Sequence, residues 1–529
     1  VLAEERTLPN PPLVTPLAGE RPGLLRAIWE REWLVVLLLA AWATFILFWR
    51  VDDPPKYIYD EVYHAFTGNL MAHNDPAVYE WWQSANSLPN YIEGTQYEWT
   101  HPPLGKLIIG GSIWLFGNNS MGWRFANALF GVICVLLMYA LARALFRDRL
   151  LATLAAGLLS IEGLMFAESR IGTNDIFQLA FLLAAFTCFV LAPRRSPWRG
   201  MGWLFATGVF LGLALGVKWP ALLSIVLIAA IALLRGVWPA RQGANSAAVV
   251  AEDNALADYA TLLHREARAE GDIALVAPAV PEPAERWGAL SRAAYLVAAF
   301  VALIVIPAGL YVASYLQMFL QRHDIPPEYA QVGPLKLGPL SLGPSTLPDS
   351  GWWSMFVGEN WQMWHYHTTL TAGHPYYSKW WQWLLDVRPV FYYVDRGDGW
   401  VANTYNLGNP FLYWAFPFAI ALGCWLLWRT RDPWLGLVMG GFAINWLPWS
   451  LSPRGMFFYH FLPAVPFLVL LVAYCLAWLW RHPSVRWQQI ARGYVVAVCV
   501  CFAFFYTQIA AWPVPEWWAT LHYWLPTWQ

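Results

Sequence analysis

Two adjacent carboxylates, Asp60 and Glu61, stand among aromatic residues in YIYDEVYHAFTG, shortly after a long apolar run ends. Such a pair can take a proton from a hydroxyl, or it can start a helix, with the first acid as N-cap and the second in the first turn. Farther along, three cations stand alone at the ends of apolar runs: Arg170 in FAESRIGTND, Lys218 in LGVKWPALL and Arg454 in LPWSLSPRGMFFYHFLP. Ionisable groups beside hydrocarbon are costly and usually face a cavity or a counter-charge, although any one of them can snorkel to water. Three together favour an anion site. With Glu98, His101, Glu168 and Asp175, the set suits a reaction in which an anionic group leaves while a hydroxyl is deprotonated. Sugar transfer from a lipid phosphate has this form. The phosphate leaves as a weak base without a general acid, cations stabilise it, and one carboxylate takes the acceptor's proton.

The elements that must position these groups are membrane spans. The chain has 529 residues, 58% hydrophobic and 13% charged, with 36 tryptophans, a profile outside that of soluble domains. A net charge of −1 gives no basic footprint, so no nucleic-acid partner is expected. Eleven apolar runs approach the ~20 residues a crossing helix needs: 33–50, 123–146, 151–167, 174–192, 202–217, 219–236, 293–316, 409–428, 433–449, 456–480 and 490–512. Segment 104–117 is shorter and carries Lys106, which suits an interfacial or re-entrant helix. The six cysteines fall inside apolar runs and read as small buried hydrophobes, without pairing. The first run follows a charged segment and lacks a cleavage pattern, so it reads as a retained anchor.

Lys and Arg near span ends mark the inner side. Arg21, Arg26 and Arg31, then Arg143, Arg147 and Arg149, then Arg194, Arg195 and Arg199, then Arg429 and Arg431, and finally Arg481 and Arg486 fall on alternate connections. The expected organisation is therefore an inner segment 1–32; a transmembrane catalytic core 33–236 with outer loop 51–122; an inner loop 237–292; a transmembrane region 293–512 with large outer loop 317–408; and an outer tail 513–529. The loop at 237–292 reads as a solvated amphipathic helix and linker. Asp60, Glu61 and the three isolated cations all fall at outer ends.

Several stretches, in order, resemble the protein O-mannosyltransferase family of GT-C membrane glycosyltransferases. They are DEVYHAFTG; HPPLGK from His101 to Lys106; ESRIGTND; GVKW; the loop with MWHYHTTLTAGHPYYSKWWQWLLDVRPVFYY; and LPWSLSPRGMFFYHFLPAVPF. The resemblance implies an inverting transfer of mannose from a polyprenyl (dolichyl) phosphate to Ser or Thr of translocated proteins at the outer face. It implies Asp60 as catalytic acid/base, with Glu61 beside it helping to place the acceptor. Arg170 would lie near the donor phosphate, with Lys218 and Arg454 at further polar positions, while Glu98, His101, Lys106, Asp175, Tyr366, His367 and His374 would line the substrate site. Two departures stand out. Trp99 occupies the position of a frequent family acid, with Glu98 next to it, and the 317–408 loop has no room for the β-trefoil MIR domain, which points to a bacterial or archaeal type.

His365, His367 and His374 lack a carboxylate at ligand spacing, so no metal or other cofactor is indicated. The loop tryptophans Trp352, Trp353, Trp361, Trp364, Trp380, Trp381 and Trp383 can stack on sugars, but interfacial anchoring is their commoner use beside a bilayer. The resulting expectation is an all-α polytopic protein of the GT-C fold with about eleven transmembrane helices, in the membrane of a bacterial or archaeal cell, its site roofed by the first and fourth outer loops. Its partners would be a polyprenyl-phosphate sugar, a Ser/Thr-bearing protein, membrane lipids and the secretion machinery. A lipid or glycan acceptor, as in aminoarabinose transferases, is the near alternative. A transporter or flippase is the distant one, because transporters place charged features near mid-membrane.

Overall fold

The computed structural model describes residues 31–88, 91–192, 200–237 and 289–529, apart from 334, 338–339, 343–345, 348–350, 372 and 453. Most of the 1–32 segment, the 237–292 loop and Arg21, Arg26, Arg194, Arg195 and Arg199 lie outside the described residues.

All eleven apolar runs are helical. In chain order the helices are α1 (Glu32–Phe48), α2 (Glu61–Ala72), α3 (Leu104–Phe116), α4 (Ser120–Phe146), α5 (Arg149–Ser160), α6 (Gly163–Glu168), α7 (Asp175–Leu191), α8 (Met201–Val217), α9 (Ala221–Val237), α10 (Ala289–Phe300), α11 (Ile306–Ala313), α12 (Leu316–Leu320), α13 (Trp352–Thr369), α14 (Pro410–Thr430), α15 (Pro433–Trp446), α16 (Val465–Trp480), α17 (Val485–Ile509) and α18 (Glu516–Thr520). Five helical stretches are long and apolar enough to cross a bilayer: Ser120–Phe146, Leu290–Ala313, Pro410–Thr430, Phe458–Trp480 and Val485–Ile509. Helices α1, α7, α8 and α9, at 17 residues each, meet the lower limit of about 17. The third run is broken: Glu162 accepts hydrogen bonds from the Leu164 and Met165 amides, ending α5 and starting α6. Helix α3 has 13 residues, too few to cross.

Caps set the boundaries. Asn119, Asp148, Asn409 and Asp432 each accept an amide at the start of a helix, the last two ahead of Pro at the first position. Helix α1 buries Val35, Leu39, Ala43 and Ile46 on one stripe and exposes Leu38, Trp42 and Phe45 on the other, so it is apolar all round. That is the pattern of a helix with lipid on one side. A β-carbon on Gly208 of α8 would lie 1.7 Å from the Ala302 carbonyl, at a π-helical turn (Val301–Val305) between α10 and α11. Glycine there lets two spans touch backbone to backbone. Gly110 of α3 does the same against the Gly68 carbonyl of α2.

The chain is not all-α. Two-stranded β1–β2 (Leu335–Leu337, Leu340–Leu342) and a three-stranded antiparallel sheet in the order β3 (Val390–Gly397), β4 (Trp400–Asn406), β5 (Val514–Pro515) sit among its helices. Sequence patterning missed the β3–β4 hairpin because its Tyr- and Trp-rich strands look like interfacial loop. The chain's last residues join this sheet, and Tyr405 Oη donates to the Trp528 carbonyl. The cysteine expectation holds only in part. All six are unpaired, but Cys424 and Cys499 are exposed on helix surfaces, because apolar runs in a bilayer are buried by lipid as well as by protein.

The basic helix ends meet at one end of the bundle. Arg143 and Arg149 both pair with Glu32, and Arg481 pairs with Asp148. Nineteen residues away along α4, Arg124 lies at the opposite end, beside Glu61.

Candidate active site

Tyr59 precedes α2 with φ at +46°, a left-handed conformation that a bulky residue rarely adopts. Its ring is stacked on Tyr392 with centroids 4.3 Å apart and meets Tyr459 edge-on at 6.3 Å. This turn delivers Asp60 to the N-cap of α2, where its side chain makes no capping hydrogen bond. The helix-start explanation of the acid pair therefore does not account for Asp60. Burial pushes its pKa up to about 7, with Lys218 opposing and Asp175 and Glu98 adding to the rise. A carboxyl so placed is both ionisable and unengaged near neutral pH.

Glu61 turns the other way. It is 0% exposed, and its oxygens accept from Arg124 Nε (2.7 Å) and Nη2 (2.8 Å), the Gly172 amide (2.8 Å) and the Ile58 amide (2.9 Å). Arg124 also donates to the Val51, Pro54 and Lys56 carbonyls. Glu61 is thus a bolt between the start of α2 and α4, with no lone pair left for an acceptor. Sequence reasoning missed Arg124, although a cation just inside an apolar run was its signal.

Lys218, directly after the last turn of α8, donates to both Asp175 oxygens at 2.8 and 2.9 Å, and lies 5.2 Å from the Tyr459 ring centroid. Gln178 donates to its carbonyl at 2.8 Å. This pair forms one wall of a small pocket, lined also by Gln178, Pro220, Leu223, Asn445, Trp449, His460 and Pro463. Arg454 Nη2 lies 3.4 Å from His460 Nε2, so a second cation borders the same region. Gln178, Asn445 and His460 were not singled out from sequence, though polar residues inside apolar runs are the signal for such a lining.

Glu98 organises a separate network. It accepts from Lys106 Nζ (2.8 Å), the Thr100 amide (2.9 Å) and the Thr100 hydroxyl, and His101 Nδ1 lies 3.1 Å away. Burial alone would raise the Glu98 pKa, but Lys106 and then His101 outweigh it and hold the carboxyl well below its usual range. Lys106 is buried and donates further to the Glu98 and His101 carbonyls, so it braces the loop. His367 Nε2 donates to the Thr100 carbonyl at 2.8 Å, and its ring meets His101 edge-on at 5.5 Å. Burial, then Arg454, lowers the His367 pKa to about 4. Tyr366 packs edge-on against Trp99 at 5.6 Å.

The remaining expected residues disperse. The Arg170 guanidinium donates to the Ile46, Leu47, Trp49 and Arg50 carbonyls, capping the end of α1. It is buried and shows no face to the cavity. Glu168 is buried with Tyr392, Asn406 and Thr173. His374 is exposed, beside Tyr376 and Phe457. His365 and His367 fall on a helix, α13, where a two-residue spacing separates their faces. Trp383 is buried and donates to Ser378 Oγ at 2.8 Å, so it is a core residue, neither anchor nor platform. Among the described residues no group of three or more His, Cys, Asp or Glu side chains is arranged to hold a metal ion.

Comparison with known proteins bears on the family and the fold. The dolichyl-phosphate-mannose-protein mannosyltransferase family profile matches residues 65–321, and the profile of the C-terminal four-transmembrane region of protein-O-mannosyltransferase matches residues 352–528. A polyprenol-phosphate-mannose–protein mannosyltransferase from Mycolicibacterium smegmatis is 28% identical over 94% of this chain and 92% of its own length. The protein of the same name from Mycobacterium tuberculosis is 27% identical over 100% and 98%. The Saccharomyces cerevisiae protein O-mannosyltransferase Pmt1-Pmt2 complex bound to the sugar donor contains a chain that shares the fold, with a TM-score of 0.68 over 95% of this chain and 94% of that one at 15% identity. The chain belongs to the protein O-mannosyltransferase family, with the GT-C fold.

Proposed function

We infer that this integral membrane enzyme transfers mannose from a polyprenyl-phosphate donor to Ser or Thr hydroxyls of proteins. The observation that carries the reading is Asp60: a carboxyl with a pKa of about 7, uncapped at a helix start, close to the Lys218–Asp175 pair. A general base works best when its pKa lies near the working pH. In the reaction the acceptor oxygen attacks the anomeric carbon from the side opposite the phosphate. The bond from that carbon to the phosphate oxygen breaks with inversion, the hydroxyl proton passes to Asp60, and the lipid phosphate leaves with the bonding pair. Lys218 and Arg454 are the cations that take up its charge, and the apolar Pro220, Leu223 and Pro463 beside Lys218 suit the lipid end. Arg170 and Glu61 hold the frame that keeps Asp60 in place.

The basic helix ends, at the end of the bundle opposite Asp60, support a reaction on the outer face of the membrane. An unfolded chain leaving the secretion machinery is then the natural acceptor, which makes that machinery a partner. The test incubates purified protein with polyprenyl-phosphate mannose and a Ser/Thr peptide and weighs the peptide by mass spectrometry. A hexose increment is expected. Mannose recovered on lipid or glycan but never on peptide would overturn the acceptor assignment.

A further inference from the structure

Among the described residues strand β3 is an edge strand, paired only with β4. The register pairs Val394 with Asn403 and Arg396 with Val401. The Asn403 carbonyl accepts from the Ala511 amide, and Val401 pairs with Val514 of β5, so both β4 residues direct their backbone groups away from β3. In an antiparallel ladder the residues opposite them must do likewise. The amides and carbonyls of Val394 and Arg396 therefore point outward; among the described residues neither has a backbone partner, and the exposed Asp395 carboxylate lies against the Arg396 amide. Val394 is 42% exposed.

The inner end of this open edge runs to the reaction centre. A bulge between Phe391 and Tyr393 re-aims the strand at that point. Tyr392 stacks on Tyr59, the residue before Asp60. Lys56, on the same lead-in segment, lies 5.0 Å from the Tyr393 ring centroid and 3.7 Å from Asp395 Oδ2. A free strand edge is a template for an added strand, with main-chain bonds giving affinity that is indifferent to side-chain identity. That suits an enzyme whose reacting group is a hydroxyl on an extended chain.

We propose that the acceptor polypeptide docks as an added strand on the free edge of β3, its backbone pairing with Val394 and Arg396, so that a Ser or Thr beyond the bulge reaches Asp60. The inference rests on the protein-acceptor reading above. The occupant is the unfolded acceptor because the edge is continuous with the site. Every second residue of that strand turns its amide to β3, and the residues between turn theirs to solvent.

The experiment uses the full-length enzyme in detergent and a set of peptides of one sequence, each N-methylated at a single backbone amide. N-methylation at alternate positions of one parity should raise the acceptor KM roughly ten-fold, while the other parity changes little. Val394→Pro, which removes an outward amide and no ladder bond, should raise the acceptor KM in the unmodified peptide and leave the donor KM and melting temperature unchanged. Equal sensitivity at both parities, or none, overturns the inference even if Val394→Pro fails to fold. Indifference to N-methylation together with cross-linking between Val394→Cys copies would assign the edge to pairing of two copies and overturn it as well. Failure to mannosylate any peptide overturns the protein-acceptor reading first and this inference with it.

Discussion

Asp60 is held by the same desolvation that makes it useful, and that gives its removal two opposite effects. Its folded pKa of about 7 exceeds the ordinary value of 3.8, so the folded state prefers the protonated form. The stability this gives is complete below about pH 4 and is lost as pH rises through 7. Asp60→Asn should therefore lower turnover about 10²–10⁴-fold, while its melting temperature at pH 8 is no lower than that of the wild type. Wild-type turnover at limiting acceptor should fall as pH drops below about 7. Lys218 opposes the rise in the Asp60 pKa, so Lys218→Met should move that acid limb to higher pH, besides costing roughly 10²-fold in turnover with the donor. An unmoved limb would detach Lys218 from Asp60. Arg124→Ala leaves Glu61 buried and unpaired, and should cost about 3–5 kcal/mol, read as loss of folded protein in detergent. Asp60 and Lys218 were legible in the sequence because a charge at the end of an apolar run is conspicuous. Arg170 was equally conspicuous, yet its partners are main-chain carbonyls, which carry no residue-type signal, and Glu61 divides its lone pairs between two amides and Arg124.

The helices were readable because hydrocarbon imposes a length and an apolar composition on each of them. Breaks and close contacts were less so. The Glu162 cap that divides the third run is an acid within a hydrophobic stretch, whereas the π-turn at 301–305 has no residue signature at all. Its counterpart, Gly208, shows how closely α8 is held against the π-turn and α11, and Lys218 stands at the end of that helix. Gly208→Leu cannot be accommodated without parting the two spans. It should lower the melting temperature and reduce donor use, whereas Gly202→Leu, whose position is open, should do neither. Equal behaviour of the two would mean that the contact does not position Lys218. The β3–β4 hairpin was hidden for another reason: without a strict apolar/polar alternation, strand and interfacial loop look alike.

For the molecule as a whole, orientation is the first thing to measure. Single cysteines at Glu93 and Asp398, both exposed, should react with impermeant thiol reagents from outside intact cells, and one at Ser484 should not. Labelling at Ser484 alone would invert the assignment and move Asp60 to the inner face. The long helix α4 adds a consequence of its own. It carries an ion-paired arginine near each end, Arg124 with Glu61 and Arg143 with Glu32, separated by about 28 Å at ~1.5 Å per residue. That is close to the ~30 Å of a bilayer's hydrocarbon. The two charges act as a gauge of membrane thickness, and Asp60 sits one residue from the upper mark. In vesicles graded by acyl-chain length, turnover should peak where the hydrocarbon matches this spacing and decline several-fold in thicker bilayers, which must either thin around α4 or submerge the site.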